Sequence, residues 1–150
     1  MSVHRYRSAS DGRSLDINYG KKKVSTAISP NTLLTRDSNG FLIPAVTASL
    51  SVVGVSISTV LSTDDNYATT DEIQYDAAKA GDEFIMDVDD AETSGFVAGV
   101  KRGINNAGEI QAAAAGNDEG LLVKVIKVLA DEDKAVVELL TNVDPDVTYS

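Results

Sequence analysis

The sequence predicts an all-β fold: a single β-barrel, β-tulip-like or sandwich domain preceded by an extended basic N-terminal arm. Three observations carry that expectation. Apolar and polar side chains alternate with period two over residues 51–60 and 83–88, the pattern of a strand with one face buried. Turn-forming residues recur about every ten positions between such runs, the spacing of a β sandwich or barrel. Charge is unevenly divided, because six of the 13 Lys and Arg but only two of the 23 Asp and Glu lie in the first 23 residues. Residues 1–23 therefore carry about +4 and residues 24–150 about −14. The arm lacks an apolar pattern that could offset its ordering entropy, so it is expected to be mobile until it meets a partner.

The elements follow in order. Residues 24–28 read as a short strand, with a turn at Ser29-Pro30-Asn31 and a second strand over residues 32–35. The run Arg36-Asp37-Ser38-Asn39-Gly40 is a tight turn, in which Asn39-Gly40 suits positive φ angles. Residues 41–45 resume as a strand that Pro44 assigns to a sheet edge or strand end. Over residues 51–60, Val53, Val55 and Ile57 are expected on one face, with Ser56 and Ser58 on the other. Polar residues 62–66 link this strand to another over residues 72–75, and residues 77–81 form a loop. Phe84, Met86 and Val88 point inward from the next strand while Asp87 points out. Residues 91–100 are ambiguous, since Gly95 and Gly99 weaken a helix. A small hairpin is expected over residues 103–113, and residues 112–115 form a weak helix stopped by Gly116. Residues 121–129 and 135–140, joined by the acidic turn 130–134, make the closing hairpin.

Composition bounds the function. A chain of 150 residues fits one domain plus the arm, and the 43% hydrophobic content is that of a globular protein. With three Phe, five Tyr and no Trp, the core must be built from Val, Leu, Ile and Ala. No Cys is present, which excludes a disulfide framework, a thiolate nucleophile and a thiolate zinc site. No run reaches the 18 or so apolar residues of a membrane span, and the N-terminus lacks the apolar stretch of a signal peptide. A net charge of −10 opposes nucleic-acid binding by the body and leaves only the arm to touch phosphate.

No catalytic, cofactor-binding or metal-binding residues are assigned. His4 is the only histidine and lies in the arm, where a catalytic base would not be held rigidly. The carboxylate pairs Asp64-Asp65, Asp87 with Asp89 and Asp90, and Asp131 with Asp133 read as solvated loop acids. The cluster Asp87, Asp89, Asp90 and Glu92 lacks the glycine and spacing of a calcium loop, and no glycine-rich phosphate motif occurs. The arm is the candidate partner-binding element through Arg5, Tyr6, Arg7, Arg13, Tyr19, Lys21, Lys22 and Lys23. Arg and Tyr are enriched at interfaces, and an extended arm can add a strand to a partner sheet.

The order of segments resembles the capsid decoration (cement) proteins of tailed bacteriophages. The resemblance spans residues 33–140. It rests on Asn39-Gly40-Phe41-Leu42-Ile43-Pro44-Ala45-Val46-Thr47, on Val52-Val53-Gly54-Val55-Ser56, on Asp82-Glu83-Phe84-Ile85-Met86-Asp87-Val88, and on the closing Ala135-Val136-Val137-Glu138-Leu139-Leu140. It implies a structural protein, not an enzyme, that binds the outer surface of an assembled head. Its partner would be the major capsid protein, with self-association on the shell, a trimer included. The virion exterior would be its location, after synthesis in the host cytoplasm. Two other readings stand beside it: a carbohydrate-binding β module of a virion fibre, and nucleic-acid binding through the arm.

Overall fold

A computed structural model describes residues 3–7, 17–45, 52–78, 81–88, 98–99, 101–104, 109–110, 123–129 and 133–140. It is all-β, with two five-stranded antiparallel sheets and, among the described residues, no α-helix. In chain order the strands are β1 (Val3–Arg7), β2 (Ile17–Lys21), β3 (Leu33–Arg36), β4 (Leu42–Pro44), β5 (Gly54–Ser56), β6 (Glu72–Ala77), β7 (Glu83–Asp87), β8 (Lys101–Arg102), β9 (Val123–Leu129) and β10 (Lys134–Leu139). One 3₁₀ turn, Asp65–Ala68, precedes β6.

The first sheet runs β1-β7-β10-β9-β8. The expected alternation in β7 is present: Phe84 and Met86 are buried and Glu83, Ile85 and Asp87 are half-buried. The closing hairpin is the centre of this sheet, because β10 pairs with β9 on one side and β7 on the other. Ala135, Val137 and Leu139 of β10 join Val123 and Val125 of β9 in the core between the sheets. Leu33 and Val55 enter that core from the second sheet. Lys134, expected in the acidic turn, begins β10 and pairs with Asp87 across the ladder. Of the rest of that turn only Asp133 is described, at φ 52°.

The second sheet runs β2-β6-β5-β3-β4. Its outer face holds a separate core of Ile28, Leu34, Leu42, Val53, Val60, Ile73 and Tyr75. The β3–β4 turn follows the sequence expectation in place but not in detail. Gly40 alone has positive φ, at 85°, while Asp37 Oδ1 accepts the Asn39 and Phe41 N–H groups and braces the loop. Pro44 lies in β4, an edge strand, where a missing donor costs no ladder bond.

Three elements differ from the sequence expectations. Residues 24–28 are a turn, and Ile28 contributes one bridge to Val60. The strand expected over residues 51–60 is confined to Gly54–Ser56 and Ser56 is buried, because β5 lies inside a sheet covered on both faces and Ser56 Oγ donates to Ser29 O. The N-terminal segment, expected to be extended without a place in the body, supplies strands to both sheets. Val3–Arg7 pairs with β7 and Ile17–Lys21 pairs with β6. Within the small expected hairpin, Ile104 bridges Ile110 antiparallel. Residues 112–115, and residues 91–100 apart from 98–99, lie outside the described residues.

Val125 has no exposed surface and sits opposite Val137 at the centre of the shared core. A Val125→Asp substitution would bury an unpaired carboxylate and is expected to cost more than about 4 kcal/mol, enough to abolish cooperative melting. A far-UV circular dichroism melt checks this.

Candidate partner-binding surface

The site begins with β2, the outermost strand of the second sheet. Its side chains alternate: Ile17, Tyr19 and Lys21 are exposed, and Asn18 and Gly20 are half-buried. A Cβ at Gly20 would lie 2.7 Å from Leu42 Cδ1, so the buried Leu42 side chain would have to shift to admit one. Leu42 is in turn close because the two edge strands of this sheet meet at one point. Lys22 forms a parallel bridge with Leu42, and the Lys23 N–H donates to Leu42 O at 3.1 Å. The sheet is thus drawn round its own outer-face core and is joined at that point only, among the described residues.

Lys22 completes the closure. Its side chain is wholly buried. The ammonium donates to the carbonyl oxygens of Thr69 at 2.6 Å, Tyr67 at 2.8 Å and Lys23 at 3.3 Å, which uses all three of its protons. Burial pulls its pKa below the usual 10.5, and the nearby Asp71 carboxylate acts in the opposite sense. The side chain is therefore a structural clasp between β2 and the 3₁₀ turn with Thr69 after it. It does not belong to a cationic surface.

The other expected contact residues are dispersed. Arg5, Tyr6 and Arg7 lie in β1 on the first sheet, where the register to β7 shifts between Arg5 and Arg7. Arg13 lies outside the described residues. Lys21 and Lys23 are exposed, but Lys21 stands opposite Glu72, so the lysine triplet does not act as a unit.

What the structure does bring together is an apolar row that charge patterning could not reveal. Tyr19 stands opposite Gln74 and its hydroxyl accepts the Gln74 Nε2 donor at 3.1 Å. On the other side of Gln74 is Ile57, expected inside but 37% exposed. Ile57 shares the face of Val55 but lies past the end of β5, where cover from the other sheet fades; the N–H groups of Ile57 and Ser58 both donate to Gln74 O, at 3.0 and 3.3 Å, a bulge that ends the β5–β6 pairing. Val53, expected on that same face, belongs to the outer-face core instead. Ile17 is 51% exposed and Tyr19 59%, because sheet cover fades toward this edge. Along one row from β3 to β2, Leu33, Val55 and Asp76 are buried and Ile17 is not.

Other candidate chemistry is sparse. Among the described residues no three His, Cys, Asp or Glu side chains group to hold a metal. Asp87 is paired with Lys134, while Asp89, Asp90 and Glu92 lie outside the described residues. Asp64 Oδ2 accepts the Leu61 N–H and braces the loop before the 3₁₀ turn. No described helix is long and apolar enough to cross a membrane. Comparison with protein family models, with characterised proteins and with solved structures gave no match.

Replacing Lys22 by Met would keep the stem but strip three buried carbonyls of a charged donor, an expected loss of about 2–4 kcal/mol. The folded chain releases the Lys22 proton more readily than the unfolded chain, so just below pH 10.5 the unfolded state binds more protons. Stability of the native protein relative to Lys22→Met is therefore expected to rise with pH through that window. Urea denaturation of both proteins at neutral and alkaline pH measures the difference.

Proposed function

We propose that this chain is a structural capsid decoration protein, which binds the outside of an assembled phage head and stabilises contacts between major capsid protein subunits. The observation that supports this reading is the exposed row Ile17, Tyr19 and Ile57 at the edge of a sheet in a chain otherwise strongly acidic. Large apolar side chains held on a rigid sheet, with a polar rim of Lys21, Lys23 and Glu72, have the makeup of a protein-binding surface. The order of segments over residues 33–140, similar to that of the cement proteins, names the partner class.

Mechanistically, the row would dock on capsid subunits with Tyr19 as its anchor. The acidic remainder of the surface would stay in solvent. A protein that binds only the assembled lattice stabilises it by mass action, and many copies multiply a modest contact. In this reading the protein is made in the host cytoplasm and resides on the virion exterior.

Because residues 17–23 are built into the second sheet, truncating the N-terminus would damage the fold, and point variants provide the cleaner test. Tyr19→Ala is expected to weaken attachment about tenfold with little dependence on salt. Neutralising Lys21 and Lys23 together is expected to have a smaller effect that fades as ionic strength rises, since exposed charges are screened beyond about 8 Å. The measurement is cosedimentation with assembled heads of the cognate capsid protein across a salt series, with unassembled subunits as control. Equal binding to subunits and heads, or native occupancy by Tyr19→Ala, would contradict the proposal.

A further inference from the structure

The backbone of β2 faces two ways, and two hydrogen bonds fix which residues face out. The Lys22 N–H donates inward to Asp71 O beside β6, and the Lys23 N–H donates outward to Leu42 O. In a strand the direction alternates residue by residue. Asn18 and Gly20 therefore bond into β6, and Ile17 and Tyr19 direct their backbone groups away from the sheet. At Lys22 and Lys23 strand β4 takes over this edge. Over residues 17–20 no described strand pairs with it.

Exposed edges are usually guarded by charge, proline or a bulge, because an unguarded one accepts another strand. The stretch Ile17-Asn18-Tyr19-Gly20 has none of these, in a chain of which 24% of residues are charged. We propose that this edge joins two copies of the chain, β2 to β2 and antiparallel, about a twofold axis at Asn18.

The stretch is complementary to itself in that register. Ile17 of each copy stands opposite Tyr19 of the other, and both are residues whose backbone groups point outward. The two pairs supply about four interchain hydrogen bonds. Each is also an aromatic against β-branched pair, a combination favoured across strands. Lys21 falls beyond the open stretch, and the two Lys21 side chains are separated by about six residues of strand, roughly 20 Å, well past the screening length. No like charges meet. The joined edges place Ile17, Tyr19 and Ile57 of both copies in one continuous apolar stripe on a ten-stranded sheet. An unrelated strand would need a matching pattern; a second copy carries one by symmetry. The contact is small, so the dimer is expected to be weak, with a Kd of about 10–100 μM.

The inference concerns the protein alone and does not depend on the capsid reading, so the two fail separately. Sedimentation velocity from dilute to near-millimolar protein is expected to show a reversible monomer–dimer equilibrium. The double variant Ile17→Lys with Tyr19→Lys is expected to stay monomeric throughout. Leu61→Lys, which changes an apolar residue 55% exposed elsewhere, is expected to dimerise like the native chain. Since the chain has no Cys, Asn18→Cys would place one thiol from each copy at the axis, and mild oxidation is expected to yield a disulfide-linked dimer. That cross-link decides the matter if the double variant fails to fold by circular dichroism. A native monomer at every concentration, a dimer that persists in the folded double variant, loss of the dimer in Leu61→Lys, or oxidation of Asn18→Cys without dimer would each overturn the proposal.

Discussion

The second sheet depends on one buried ammonium group. Lys22 follows β2, bridges to Leu42 of β4, and holds the carbonyls of Tyr67 in the 3₁₀ turn and of Thr69 just after it. Without those contacts the two edge strands would have no common fixed point, and the segment that leads into β6 would lose its tie to β2. Taking a lysine out of water is costly, and the cost is tolerable here because each of its three protons has an acceptor. The same clasp sets where β4 takes over the edge of β2. It thereby leaves residues 17–20 as the open stretch and fixes which backbone groups point outward.

Two cores make the rest of the body coherent. The one between the sheets is filled by β7, β9 and β10 on one side and by Leu33 and Val55 on the other, while the second lies on the outer face of the second sheet. Strands β3, β5 and β6 are therefore covered on both faces, which is why Ser56 and Asp76 are buried within them. Cover is lost toward β2, and the exposure of Ile17 and Tyr19 is the direct result. The proposed contact surface is defined by where the packing of the second sheet stops. The local cationic count does not define it.

Much of the fold was legible in the sequence and much of the surface was not. The period-two run in β7 and the closing hairpin were readable because each depends on local alternation and a nearby turn. The turn at residues 36–40 was readable for the same reason. Residues 24–28 misled because a short apolar run does not reveal that it is needed for one bridge only. Ile57 misled because it keeps the face of Val55 but lies past the end of β5, where cover fades, and the extent of that cover is set by the other sheet. The lysine triplet looked like one cationic patch, yet Lys22 is buried and Lys21 faces Glu72, a distinction that only register supplies. Tyr19 was named from its residue type, whereas its neighbours Gln74 and Ile57 are more than 35 positions distant in the chain and needed the sheet to become visible.

The central claim is that residues 17–23 are part of the folded sheet, with β2 as its edge, instead of trailing from the body. Residue-resolved hydrogen exchange on dilute protein tests this most directly. The account predicts protection of the Asn18, Gly20 and Lys22 amides, which bond toward β6 and Asp71, and faster exchange at Ile17 and Tyr19, which point outward. Rapid and uniform exchange across residues 17–23 would contradict it.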